Sequence, residues 1–72
     1  MAFDYRKLRG RIREVFKTEA SFAEQIQMSS TSLSGKLNNK VEFSQSEIDR
    51  AVRLLSIPRA EIPLYFFTLR TD

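Results

Sequence analysis

The chain is 72 residues long, 42% hydrophobic and 29% charged, with two Gly, two Pro, no Cys and no His. Such a chain makes one small, thin-cored domain; it has no material for disulfides, Cys/His zinc sites, thiol nucleophiles or imidazole bases, and a reducing cytoplasmic setting is expected. The formal charge of +3 sits in residues 1–20, where Arg6, Lys7, Arg9, Arg11, Arg13 and Lys17 outnumber Asp4, Glu14 and Glu19, and this modest excess favours an anionic partner without establishing one.

In chain order, Asp4 is placed to cap a first helix from about Tyr5 to Phe16, with Leu8, Ile12, Val15 and Phe16 at helical spacing. Thr18 opens a second helix carrying Phe22, Ala23 and Ile26 and ending near Gln27, although Ser21 with Glu24 forms a competing capping box. After the turn at Met28-Ser29, Ser29 caps a third helix through Leu33 and Leu37, which Asn38-Asn39 ends by tolerating a left-handed conformation. Ser44 and Glu47 make a capping box for a fourth helix, striped with Ile48, Ala51, Val52 and Leu55. Ile57-Pro58 stops it, and Pro58 is expected to start a fifth helix carrying Ile62. The uncharged run from Ile62 to Leu69 is too short for a bilayer, which needs about 20 apolar residues, and no signal-peptide core follows the N-terminus. The expectation is a single all-α domain over residues 1–72, five helices and no strand.

Residues 18–38 are the most specific segment: a short helix, a tight turn and a second short helix read as a helix-turn-helix. The outward positions of the third helix are Ser30, Thr31, Ser32, Ser34, Gly35, Lys36 and Asn38. Short hydroxyl side chains let a helix approach base edges closely, whereas a plain solvated Ser-rich face is the competing reading. Ser and Thr are poor helix formers, so a face built from them calls for a reason.

The run Phe22-Ala23-Glu24-Gln25-Ile26-Gln27-Met28-Ser29-Ser30-Thr31-Ser32-Leu33-Ser34-Gly35-Lys36-Leu37-Asn38-Asn39-Lys40 resembles the phage Cro/CI-type helix-turn-helix family. Phe3-Asp4-Tyr5, Lys7-Leu8, Gly10-Arg11-Ile12, Leu37 to Val41, Phe43-Ser44-Gln45, Glu61-Ile62-Pro63 and Tyr65-Phe66-Phe67 resemble a narrower set. That set is the small Cro-like regulators of Gram-positive temperate phages, including the modulator-of-repression type. The resemblance implies a compact five-helix lambda-repressor-like fold with Phe22, Ala23, Ile26, Leu33 and Leu37 as buried scaffold. It matches Ser30, Thr31 and Ser34 to base-edge positions, and Thr18, Lys36, Asn38 and Lys40 to phosphate positions. Three residues depart from the family pattern. Gln27 stands where Gly is usual, at a cost on the order of 1 kcal/mol if left-handed. Glu19 stands where many members place Gln, and Gly35 offers no side chain for a base.

Two functions follow as expectations. In the first, a Cro-like regulator of a lysis–lysogeny switch binds a double-stranded DNA operator through the third helix, as a homodimer by family analogy. In the second, an antirepressor grips a CI-type repressor protein and alters its DNA binding, with Ser30, Thr31 and Lys36 at the contact. Arg6, Arg9 and Arg13 share one side of the first helix, as a phosphate-facing ridge or a solvated face. Leu64, Phe66 and Phe67 either fold back over the first and fourth helices or form an exposed patch for a partner. No catalytic residues, metal or cofactor are expected, because Glu42, Glu47, Asp49 and Glu61 are scattered at helix starts and no Gly-rich phosphate loop exists.

Overall fold

The structure, a computed structural model, describes residues 2–71. Five helices run in the order α1 (Arg6–Phe16), α2 (Glu19–Gln25), α3 (Ser30–Leu37), α4 (Gln45–Leu55) and α5 (Ile62–Phe66), with a 3₁₀ turn (Arg59–Glu61) before the last. Each of the three central helices opens on a hydroxyl cap. Thr18 accepts from the Ser21 amide, Ser29 from the Ser32 amide, and Ser44 from the Glu47 amide while Glu47 reaches back to close the capping box. The competition at α2 is thereby settled for Thr18.

The ends differ from expectation in instructive ways. Helix α1 begins one residue late: the Asp4 carboxylate accepts the Arg6 amide and is also clamped by the Arg6 guanidinium, leaving Tyr5 as the cap residue. Helix α4 stops at Leu55 because Ser56 turns left-handed, before Pro58 is reached. Pro58 opens the 3₁₀ turn, and Pro63 occupies the first turn of α5, where a missing N–H costs nothing.

Residues Gln27, Asn39 and Ser56 all have positive φ (62°, 64° and 52°), and no glycine does. The amide after each reaches back five residues: Met28 to Ala23, Lys40 to Gly35 and Ile57 to Val52, at 2.8–3.0 Å. These are Schellman-type stops made without glycine. Both glycines instead lie inside helices, Gly10 in α1 and Gly35 in α3, where Gly is least favourable.

Helix α1 is the hub, packing against α2, α4 and α5, while α3 packs on α2. Its Leu8 and Ile12 meet Phe22, Ala23 and Ile26 of the second helical segment, Leu33 and Leu37 of α3, and Ala51 and Leu55 of α4 in one core. The five residues expected as buried scaffold of the central segment are all buried. No polar or charged residue is buried among the described residues, so the core is held by apolar contact alone.

The C-terminal aromatics divide. Tyr65 and Phe66 are buried, whereas Leu64 and Phe67 remain 51% and 52% exposed. Of the two readings given for Leu64, Phe66 and Phe67, fold-back holds for Phe66 and exposure for Leu64 and Phe67. A five-residue helix has room to turn only one stripe inward, and Tyr65 with Phe66 takes it. Edge-on aromatic contacts run from Phe67 to Phe3, from Tyr5 to Phe43 and from Phe43 to Phe66, with Phe3 tilted against Tyr5. This chain of rings closes the two termini over the core, and Phe3 opposes Leu69 in a single antiparallel bridge.

Candidate functional site

Helix α3 presents Ser30, Thr31 and Ser34 to solvent, while Leu33 and Leu37 hold its opposite side in the core. Ser30 and Ser34 lie one turn apart with Thr31 beside them, giving a low, hydroxyl-lined surface. A Cβ added at Gly35 would meet no atom within 4 Å, so the fold does not require glycine there. Its effect is to flatten the surface beside Ser34.

The charged residues expected to flank this face are largely engaged. Lys36 Nζ pairs with Glu47 Oε1 of α4, and the two side chains are only 13% and 18% exposed. Burial opposes ionisation of Glu47, but hydrogen bonds from Lys36 and from the Ser44 amide outweigh it and hold the carboxyl below its ordinary range. Lys36 is therefore a tether between α3 and α4, with its ammonium committed inside the molecule. Asn38 accepts from Arg9 Nη2 at 3.1 Å and donates to Ser34 Oγ at 3.3 Å. The same guanidinium pairs with Glu19 at 2.9 Å. A Glu19–Arg9–Asn38–Ser34 chain thus links α2, α1 and α3, and it neutralises the carboxylate that departs from the family pattern. Thr18 is exposed, but its hydroxyl is engaged in capping α2. Lys40 is exposed, and no ion pair involves it among the described residues.

Several arginines of α1 are also engaged within the chain, Arg9 and Arg11 partly covered and Arg6 at the surface. Arg6 forks onto Asp4, whose pKa falls to about 2, first through that side-chain hydrogen bond and then through the Arg6 amide. Arg11 donates to the Leu55 carbonyl at the end of α4 at 2.9 Å. Of Arg6, Arg9 and Arg13, two are thus ion-paired, and the side they share is less positive than a count of side chains implies. Between the N-terminal segment and the end of α3 lies a cleft of about 450 Å³, bordered by Arg6, Arg9 and Arg70.

Two residues that organise this region carry more than their local sequence signals. Glu47 was legible as a capping-box residue, while its bond to Lys36 spans elements and leaves no trace in spacing. Asn39 was legible as a helix stop; its side-chain amide also bridges the Phe3 backbone, accepting from the N–H at 2.8 Å and donating to the carbonyl at 2.9 Å.

The full-length likeness of this arrangement decides the family. A model described as protein of unknown function, DUF739, matches residues 1–69. The chain belongs to the DUF739 family. Its structure is similar to the solution structure of the modulator of repression of the temperate bacteriophage TP901-1 from Lactococcus lactis, with a TM-score of 0.82 and 38% identity over 100% of this chain and 97% of that one. No curated protein matches the chain. No helix among the described residues is long and apolar enough to cross a membrane, and no group of three or more acidic side chains among them is placed to hold a metal ion.

Proposed function

We propose that this DUF739 protein is a phage antirepressor: it binds a CI-type repressor protein and alters that repressor's contact with DNA. The observation that carries this reading is the end-to-end match, at 38% identity, to a phage modulator of repression. An identity of that size over the whole chain is a stronger warrant than fold likeness alone. The contact is assigned to the exposed hydroxyl face of α3, with Ser30 and Thr31 touching the repressor. Lys36 contributes by fixing α3 against α4.

The state of the cations supports a protein over DNA as the main partner. Phosphate recognition draws its affinity from free Lys and Arg, with each neutralised phosphate adding about 0.9 to the salt slope. Here the two cations nearest the α3 face, Arg9 and Lys36, are ion-paired within the chain and partly covered, leaving Lys40 as the cation of the α3 end with no ion pair among the described residues. Operator binding through Ser30, Thr31 and Ser34, with Thr18, Asn38 and Lys40 at phosphates, is the second reading; the exposed Ser/Thr face supports it.

A gel-shift titration on the promoter region beside the gene, with and without the neighbouring phage repressor, separates the two. The antirepressor reading expects weak, non-selective binding by the protein alone and an altered repressor shift when both are present. Nanomolar, sequence-selective binding by the protein alone would overturn it in favour of the operator reading.

A further inference from the structure

The three hydroxyls of the α3 face are not equivalent. Those of Ser30 and Thr31 have no hydrogen-bond partner among the described residues, so each turns freely between donor and acceptor. Ser34 is fixed by a chain of bonds that starts on α1. A guanidinium only donates, so Arg9 Nη2, 3.1 Å from Asn38 Oδ1, dictates which way the Asn38 amide faces. Its NH2 group is thereby turned to Ser34, one turn back on the same ridge of α3, and donates to Ser34 Oγ at 3.3 Å. An oxygen that accepts from within the chain keeps its own hydrogen for what lies outside. No acceptor among the described residues takes that hydrogen.

Three features describe what can meet this donor. The bonds all run one way, from guanidinium to surface, and a series of that kind strengthens its last donor. Glu19 pairs with Arg9 at 2.9 Å and cancels its charge, so the chain delivers polarity to Ser34 without net charge. Gly35, beside Ser34, has no side chain and open space around it, so an oxygen carried on a short stem can approach Ser34 Oγ.

We propose that Arg9 and Asn38 are positioning residues that lock Ser34 as a hydrogen-bond donor, and that Ser34 gives its hydrogen to an uncharged amide oxygen of the repressor. This inference rests on the antirepressor reading and adds to it the chemistry of one contact. Ser30 and Thr31 adapt to whatever the repressor presents, whereas Ser34 rejects a donor and selects an acceptor. Arg9 and Asn38 act on the repressor through Ser34 alone.

The test titrates the full-length neighbouring repressor, by calorimetry, with the parent protein, Ser34→Ala, Asn38→Asp and the double variant. Ser34→Ala is expected to weaken binding about fivefold. In Asn38→Asp the carboxylate still accepts from Arg9 but has no hydrogen to give, so the Ser34 hydrogen turns inward and a lone pair faces the repressor. About tenfold weakening is expected. In the Ser34→Ala background the same change is expected to move the affinity by less than about twofold. A loss that persists without the Ser34 hydroxyl would show that the new charge acts by itself, and would overturn the proposal. The Ser34→Ala loss is expected to be equal at low and high salt, and a loss that shrinks with salt would replace the amide oxygen with a carboxylate. On the free ¹⁵N-labelled protein, Ser34→Ala is expected to shift the Asn38 side-chain NH2 signals, while the backbone amides outside residues 30–38 report that each variant folds. Unmoved NH2 signals would overturn the locking of Ser34 whatever the repressor does. A parent protein that binds no repressor would overturn the antirepressor reading and the assigned oxygen with it, whereas a parent that binds without the Ser34–Asn38 coupling overturns this inference alone.

Discussion

Helices α3 and α4 both open on a serine cap, yet they are helical for different reasons. Helix α4 supplies its own case: a complete capping box, an Asp49–Arg53 pair one turn apart, and an apolar stripe in which Ile48, Val52 and Leu54 back up the buried Ala51 and Leu55. Helix α3 has Ser, Thr or Gly at five of its eight positions and buries only Leu33 and Leu37. It is kept helical from outside, by Ser29 at its start, left-handed Gln27 and Asn39 beyond its two ends, the Lys36 bond to α4 and the Asn38 bond to α1. The difference teaches where function has room. A helix whose order comes from its anchors has an outward face that folding does not need, and in α3 that face is the hydroxyl surface.

The contrast is broken most sharply in the core. Leu33→Ala, at a site 1% exposed, is expected to cost about 3 kcal/mol in urea denaturation, whereas Ile48→Val on half-buried α4 costs about 0.5 kcal/mol. Equal losses would show that α3 is no more dependent on its anchors than α4. Next in size is Glu47→Ala, which removes half of a capping box and strands a partly buried Lys36. About 2 kcal/mol is expected, with a coupling of about 1 kcal/mol in a double-mutant cycle against Lys36→Met.

Acid probes the same tether. Both Glu47 and Asp4 are held below their ordinary carboxylate range in the folded chain, the latter at about 2. Their stabilisation is present above the unfolded values of 4.5 and 3.8 and is lost as pH falls through the folded ones. The urea midpoint is therefore expected to be flat from pH 7 to 5 and to decline steadily below pH 4.5. Glu47→Gln should flatten part of that decline.

Smaller effects sharpen the comparison from the other side. Gln27→Gly relieves a left-handed side-chain residue before α3 and is expected to raise stability by about 1 kcal/mol. Gly35→Ala has open space for its methyl and is expected to add about 0.5–1 kcal/mol. If the repressor approaches the flat strip beside Ser34, the same alanine weakens that complex, so a more stable and less active variant supports the proposed contact. Thr31→Ala should change the melting temperature least, within about 0.5 kcal/mol of the parent. Its effect belongs in the repressor complex, where a pull-down or calorimetric titration is expected to show weakened binding.

The starts of α2, α3 and α4 were readable residue by residue, because a capping hydroxyl and the amide it serves lie within three positions of each other. The buried scaffold from Phe22 to Leu37 was readable for a similar reason, since helical period assigns a face without knowledge of the neighbour. The helix ends were less so. Ser56, in place of Pro58, terminates α4, and nothing in a serine announces a left-handed conformation. At the C-terminus the run of aromatics gave no way to choose which rings turn inward, because five residues of helix accommodate more than one stripe. For the candidate site, Ser30, Thr31 and Ser34 were found as exposed positions, while the inward commitment of Lys36 and Arg9 was invisible.

What the sequence determined by itself is therefore local: a small all-α chain, its caps, its apolar stripes and a polar third helix, all set by interactions within one or two turns. What only the tertiary structure decided is the fate of the charges and the termini. Lys36 meets Glu47 across eleven positions, Arg9 meets Asn38 across twenty-nine, and Asn39 meets Phe3 across thirty-six. Pairings at such separations depend on how α1, α3 and α4 are brought together by the buried core, and no periodicity in the chain encodes them.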